Sequence, residues 1–149
     1  MATITNTTSV RRAPKNVIGR LISVSLLAML AATAADLGLY YAAGILFPEV
    51  TTWPGSGVGQ IAGANGVYLL LGVVVFAATI RISPRPAHHY LILASIGLLL
   101  SLGLPISAGF GFGPPGTPAA GAATVITLSL MHIVSFVISV PLFIRMALD

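Results

Sequence analysis

The chain has no cysteine, very little charge and only three acidic residues. The absence of cysteine excludes disulfides, thiolate metal sites and thiol catalysis. Only 7% of its residues are charged and 56% are hydrophobic, whereas about a quarter are charged in soluble domains. A soluble protein of 149 residues with this composition would have too few polar side chains to cover its surface. The composition is therefore typical of a membrane protein.

Four long apolar runs follow one another, and each is long enough to cross a bilayer as a helix. We expect a flexible cytoplasmic tail over residues 1–16 and a single transmembrane domain over residues 17–149. Its spans are predicted at about 17–44, 58–80, 88–108 and 121–145. Short connections between consecutive spans predict an all-α fold, an antiparallel bundle of four transmembrane helices.

Two prolines and a short Ala motif complicate this pattern. The third run either ends at Pro105 or bends there and continues to about Phe110, and Pro141 predicts a kink or an early stop in the fourth. The start of the chain also has features of a signal peptide, with a possible cleavage site at Ala32–Ala34. The apolar run continues beyond this site through Leu37–Tyr41, which favours a span.

The basic residues indicate the orientation. They lie before the first run, between the second and third, and at the end of the fourth: Arg11, Arg12, Lys15, Arg20, Arg81, Arg85 and Arg145. The other two connections, residues 44–57 and 105–121, carry no Lys or Arg. Because short loops rich in Lys and Arg remain in the cytoplasm, both termini are predicted to be cytoplasmic. Such scattered charges favour contacts with membrane lipids and do not predict nucleic-acid binding.

Asp36 is the most unusual residue of the first run. Counted from Tyr41 it lies about 7 Å below the interface, where a carboxylate costs a few kcal/mol. It should therefore face the bundle or a wet cavity, or be protonated. One interpretation is a proton or cation site, and the other is an acid that reaches headgroup water or bonds to a neighbouring helix.

His132 lies near the middle of the fourth run, on a face shared with Ser135 and Ser139. The structural interpretation is a neutral imidazole bonded to a hydroxyl or a carbonyl. The alternatives are a proton relay with Asp36 or an axial ligand to a haem or chlorin. We expect no metal site and no cofactor unless this last alternative holds.

The intramembrane polar side chains fall into one expected group. Its members are Asp36, Asn65, Tyr68, Thr124 and His132, with the first four near the outer third of the membrane and His132 deeper. Gly59, Gly63 and Gly66 form a small-residue motif at the start of the second run. This motif is expected to support helix packing within the bundle or self-association.

No arrangement of residues suggests an enzyme. The chain has neither a Ser-His-Asp set, nor paired carboxylates, nor an HExxH motif, and one of its three acids is the last residue, Asp149. We therefore expect no catalytic site.

Three segments resemble a family of small uncharacterised bacterial four-span membrane proteins, of the domain-of-unknown-function type. They are the basic loop Arg81–Pro86, the span Tyr90–Pro105, and Thr127–Leu142 with its Leu130-Met131-His132 segment. The resemblance covers the second half of the chain, and in the first half only the spacing of the spans agrees. It implies the four-span fold and no activity, cofactor or site. The bacterial cytoplasmic membrane is our own prediction for the location of the chain.

The leading functional prediction is a non-enzymatic accessory or scaffolding subunit that packs against itself or against other membrane subunits. The second is a small proton-coupled transporter or channel component that uses Asp36 and His132. The third is a cofactor-bearing subunit with His132 as a haem or chlorin ligand.

Overall fold

The computed structural model describes residues 17–113 and 115–148, all of them in helices or in the connections between helices. The elements in chain order are α1 (Val17–Leu46), α2 (Glu49–Thr52), α3 (Val58–Ile82), α4 (Pro86–Ser101), α5 (Gly103–Gly109) and α6 (Ala122–Leu148). The predicted all-α fold with four spans is confirmed, because four helical segments are long and apolar enough to cross a membrane. The predicted tail over residues 1–16 lies outside the described residues.

The third span consists of two helices, α4 and α5, that follow one another directly. Pro105 lies in the first turn of α5 and has no N–H to donate to the carbonyl of Ser101. The helix therefore breaks at Leu102 and resumes, and the span continues to Gly109. The sequence left open whether the third span ends at Pro105 or bends there and continues. The structure shows that it continues.

Pro141 does not end the fourth span. The helix α6 continues through it to Leu148, so the early stop expected at this proline is wrong. A proline is tolerated inside a membrane helix because neighbouring side chains and local adjustments of the helix satisfy the freed backbone group.

The four spans alternate in direction, and α1 packs along both α6 and α3. The alternation places the starts of α1 and α4 beside the ends of α3 and α6. We call this the basic end, since Arg20, Arg81, Arg85 and Arg145 lie there. The other end, which carries Glu49, is called the opposite end. Its orientation relative to the cell stays a prediction.

Apolar clusters hold both ends of the bundle together. At the basic end, Phe76 is fully buried between Tyr90 and Phe143, with ring centroids 4.8 Å and 5.9 Å away. At the opposite end a second cluster surrounds Tyr40 and Met131. Leucines and valines on the outward faces are exposed, as expected for surfaces that lipid tails cover.

The connections at the opposite end are tied to each other. Tyr40 donates from its hydroxyl to the carbonyl of Ser56 at 3.1 Å, and Trp53 donates from Nε1 to the carbonyl of Pro118 at 2.9 Å. The first bond anchors the α1–α3 connection to α1. The second joins this connection to the one between α5 and α6, so the two loops form a single cap over the bundle.

Candidate functional site

Asp36 lies inside the bundle on the face of α1 that meets α3 and α6. Its side chain is only 2% exposed, although it lies in a helix apolar enough to span a membrane. It precedes the end of α1 at Leu46 by ten residues, or about 15 Å along the helix axis. Of the sequence interpretations, headgroup contact is wrong, and a bond to neighbouring helices is what the structure has.

Two side chains from different helices donate to one oxygen of Asp36. Asn65 of α3 donates from Nδ2 to Oδ2 at 2.9 Å, and Ser135 of α6 donates from Oγ to the same oxygen at 2.7 Å. The Ser135 hydroxyl also lies 3.1 Å from Oδ1 of Asn65. A hydroxyl has one proton, so it serves only one of these two acceptors at a time. The cluster therefore joins three spans and has fewer donors than acceptors.

The other carboxyl oxygen of Asp36, Oδ1, is buried and has no hydrogen-bond partner among the described residues. An unpaired buried carboxylate oxygen is costly, and three things can satisfy it: a water in the cavity that Asp36 lines, a proton or a cation. Within the described chain no Lys or Arg lies beside Asp36, because the arginines are at the basic end. The geometry thus leaves one oxygen of a buried acid available to a positive charge.

His132 and Tyr68 form an edge-to-face ring pair beside this cluster, with centroids 5.5 Å apart and an angle of 75° between the rings. His132 precedes Ser135 by one turn of α6, towards the opposite end of the bundle. Since Ser135 contacts Asp36, His132 lies no deeper than Asp36, and the expectation that it is deeper is wrong. Both His132 and Asp36 line the small cavity.

Two cavities meet at this ring pair. The small cavity, about 150 Å³, is lined by Asp36 and extends to Gly55 and Ser56 at the opposite end. The large cavity, about 380 Å³, lies between the second, third and fourth spans and extends to Tyr90. Tyr90 follows the start of α4 at Pro86 by four residues, or about 6 Å. Asn65, Tyr68 and His132 line both cavities.

Thr124 is not part of this group. It lies eleven residues before Ser135 on α6, which is about 16 Å along the helix axis. Its side chain is fully buried, and its hydroxyl oxygen has no hydrogen-bond partner in the described structure. The expectation that Thr124 shares a site with Asp36 is therefore wrong.

The glycine motif of the second span does not pack inside the bundle. Gly59 and Gly63 are exposed, and a Cβ added to Gly59, Gly63 or Gly66 would meet no neighbouring atom within 4 Å. Packing of this motif within the chain is thus wrong, because the glycines lie on the outward face of α3. Self-association through it stays a prediction.

The remaining histidines are remote from His132. His88 and His89 lie in the first turn of α4 at the basic end, where both are exposed, and Nδ1 of His89 is 2.6 Å from the hydroxyl of Ser83. Neither lines a cavity with His132, so neither can supply a second axial ligand there. No three potential metal-ligating side chains cluster in the parts of the chain that the structure describes.

Sequence reasoning named Asp36, Asn65, Tyr68 and His132 but did not include Ser135 in the group. Ser135 follows His132 by three residues, so it shares a helix face with it, and this spacing was the available signal. Thr33 is a similar case, since it precedes Asp36 by one turn and its Oγ1 lies 3.4 Å from Nδ2 of Asn65. The spacing alone does not show which polar residue of a stripe faces which helix.

Comparison with known proteins gives one match. The model of DUF6069, described as a family of unknown function, matches residues 12–149. No curated protein and no solved structure matches the chain significantly. The match confirms the resemblance to a domain-of-unknown-function family and extends it over the first half of the chain.

Proposed function

This chain belongs to DUF6069, a family of unknown function, and we propose that it is a non-enzymatic multi-pass membrane protein that carries protons through Asp36 and His132. The single observation that carries the proposal is the Asp36 carboxyl group, buried in an apolar bundle with one oxygen unpaired. An ionisable residue at membrane depth is a functional-site hypothesis by default, because such residues are costly there and mark ion pathways and proton relays.

The cavities supply the route that such a carrier requires. The small cavity connects Asp36 to the connection at the opposite end, and the large cavity begins at Asn65 and His132 and approaches the basic end. Asp36 lines the small cavity, and the Ser135 hydroxyl that bonds to it lines the large one. A proton that binds Oδ1 of Asp36 can therefore be exchanged with either side through neighbouring hydroxyl and imidazole groups.

We propose that the basic end faces the cytoplasm of a bacterial cell, with both termini inside. The support is the position of Arg20, Arg81, Arg85 and Arg145 at one end of the bundle, together with the positive-inside rule. Protons then enter from outside through the small cavity. Glu49 lies at the outer end in this orientation.

Proton flux into liposomes tests the proposal. The full-length protein is reconstituted with a pH-sensitive dye trapped inside, and a pH gradient is imposed with valinomycin and potassium to balance charge. We expect the internal pH to change faster than in liposomes without protein. If the internal pH changed at the same rate with and without the protein at every pH tested, the proposal would be contradicted.

Ser135→Ala should slow this flux, because Asp36 then loses one of its two donors and a hydrogen bond to a charged group is worth about 1.5–3 kcal/mol. The matched control is Ser129→Ala on the same helix, where the hydroxyl bonds only to the carbonyl of Val125. We expect Ser129→Ala to keep the wild-type rate. An equal proton flux in both variants would show that Ser135 is not part of the proton pathway.

A second candidate is the accessory or scaffolding subunit, and the exposure of Gly59 and Gly63 favours it. Glycines four residues apart on an outward helix face allow the backbone of a second helix to approach closely. The partner we propose is a second copy of this chain. Such a dimer is compatible with proton carriage, since the motif lies outside both cavities.

Gly63→Leu should weaken this self-association by roughly tenfold or more, because the added side chain keeps the two backbones apart. The measurement is energy transfer between labelled copies in liposomes at several protein-to-lipid ratios. Gly38→Leu is the control, since Gly38 is also an exposed glycine of a span with no neighbouring atom within 4 Å. Energy transfer at the level of random collisions in the wild type would contradict the dimer.

A further inference from the structure

The large cavity has a size and a lining that proton transfer alone does not require. At about 380 Å³ it falls within the range of small-molecule sites, roughly 300–1,000 Å³. Its walls are mostly apolar, with leucine the commonest lining residue. Asn65, Tyr68, His132 and Ser135 lie together at the end beside Asp36, and the other polar groups are the hydroxyls of Tyr90, Ser101 and Ser139. Gly72 and Gly97 of the facing spans leave space for a ligand between them.

The charges around this cavity select the kind of ligand. The lining residues include no Lys, Arg or Glu; the titratable groups are Tyr68 from α3, Tyr90 from α4 and His132 from α6. Asn65 and Ser135 line the cavity and also bond to Asp36, so a ligand that touches them lies one side chain away from the carboxyl group. When Asp36 is ionised, a positive charge is therefore attracted to this end of the cavity, and a negative one is repelled.

The walls determine the rest of the ligand's chemistry. A small inorganic cation requires several oxygen ligands, and away from the end beside Asp36 the lining offers only the three hydroxyls of Tyr90, Ser101 and Ser139. An organic cation with a weakly hydrated charge needs apolar contacts and aromatic rings, and Tyr68, Tyr90 and Phe136 supply rings. Tyr90 is the one buried residue of α4, and the third span is otherwise anchored through α5, where Pro105 and Ala108 are buried. The α4 wall of the cavity is therefore loosely packed.

We propose that the large cavity binds a small lipophilic organic cation, whose charge is balanced by Asp36. This inference rests on the proposed function, because the proton and the cation neutralise the same carboxyl group. Binding of one displaces the other, so the protein exchanges protons for the organic cation across the membrane. No covalent step is involved.

Equilibrium binding to the full-length protein in lipid nanodiscs tests the proposal. The probe is radiolabelled benzyltrimethylammonium, and the neutral competitor is neopentylbenzene, in which carbon replaces the charged nitrogen. We expect the cation to bind and the neutral isostere to compete poorly. At an effective dielectric constant of about 20, opposite charges about 7 Å apart strengthen binding by more than about tenfold. Equal binding of both molecules would overturn recognition by charge.

Protons and two variants give independent readouts. Binding should weaken as the pH is lowered, because protons neutralise Asp36, and Asp36→Asn should remove both the binding and its pH dependence. Gly97→Leu should block binding by filling the cavity, since a Cβ added at Gly97 meets no atom within 4 Å. Gly38→Leu, outside the cavity, should bind normally. Binding that is unaffected by Gly97→Leu, or that is the same at every pH, would overturn the proposal.

The outcomes separate this inference from the proposed function. Proton flux without binding of the cation overturns the inference alone. Binding without proton flux in the absence of the cation overturns simple proton carriage and leaves the cation site in place. If Asp36→Asn does not assemble, the pH dependence of the wild type and the neutral isostere still decide the question.

Discussion

Asp36→Asn is expected to reduce proton flux to the rate of liposomes without protein while the bundle stays folded. The amide has nearly the shape of the carboxyl group, and its oxygen can still accept from Asn65 and Ser135. It cannot bind and release a proton in the physiological range, however. The change therefore removes the titration and keeps the bonds that join three spans.

The control is Glu49→Gln, which makes the same change from acid to amide at an exposed position outside both cavities. This variant should keep the wild-type flux. Helical content and elution in detergent show whether each variant assembles. Wild-type flux in Asp36→Asn would contradict proton carriage by Asp36. A large loss of assembled protein would instead show that the fold requires the charge itself.

Phe76→Ala is expected to lower the free energy of unfolding by about 3 kcal/mol, the lower end of the range for such truncations in soluble cores. Phe76 is fully buried and its ring contacts Tyr90 and Phe143, so it joins the second, third and fourth spans at one point. In a bilayer the unfolded helices are already in lipid. The loss therefore comes mainly from the cavity and the missing contacts, which explains the lower value.

Unfolding in mixed micelles with increasing denaturing detergent measures this change. The control is Leu99→Ala in the third span, where the side chain is 70% exposed and faces the lipid region. We expect Leu99→Ala to remain within about 0.5 kcal/mol of the wild type, as surface substitutions usually do. Equal stability of the two variants would mean that Phe76 does not hold the third span in place.

Much of the fold could be predicted from the sequence. Apolar runs of sufficient length indicated the spans. Pro105 and Pro141 show the limit of this reasoning. The same residue type breaks one helix and lies inside another, because the outcome depends on what surrounds the freed carbonyl.

The site could be predicted only in part. Asp36 and Asn65 stand out because amide and carboxyl groups are rare in apolar runs, and the structure joins them directly. Ser135 could not be identified with the same certainty, since serine is common in membrane helices and usually bonds to its own backbone, as Ser129 and Ser139 do. The glycine motif left packing within the bundle and self-association open, and only the structure shows that the rotation of α3 turns it outward.

The sequence by itself determined that this chain has four helical spans and which of their ends carry the arginines. Lipid provides no partners for backbone N–H and C=O groups, so a long apolar run has no alternative to a helix. Only the tertiary structure decided that Asp36 meets Ser135, that Thr124 lies apart, and that two cavities meet at His132. The rotation and axial offset of each helix depend on how side chains pack against each other, and hydropathy contains no information about that packing.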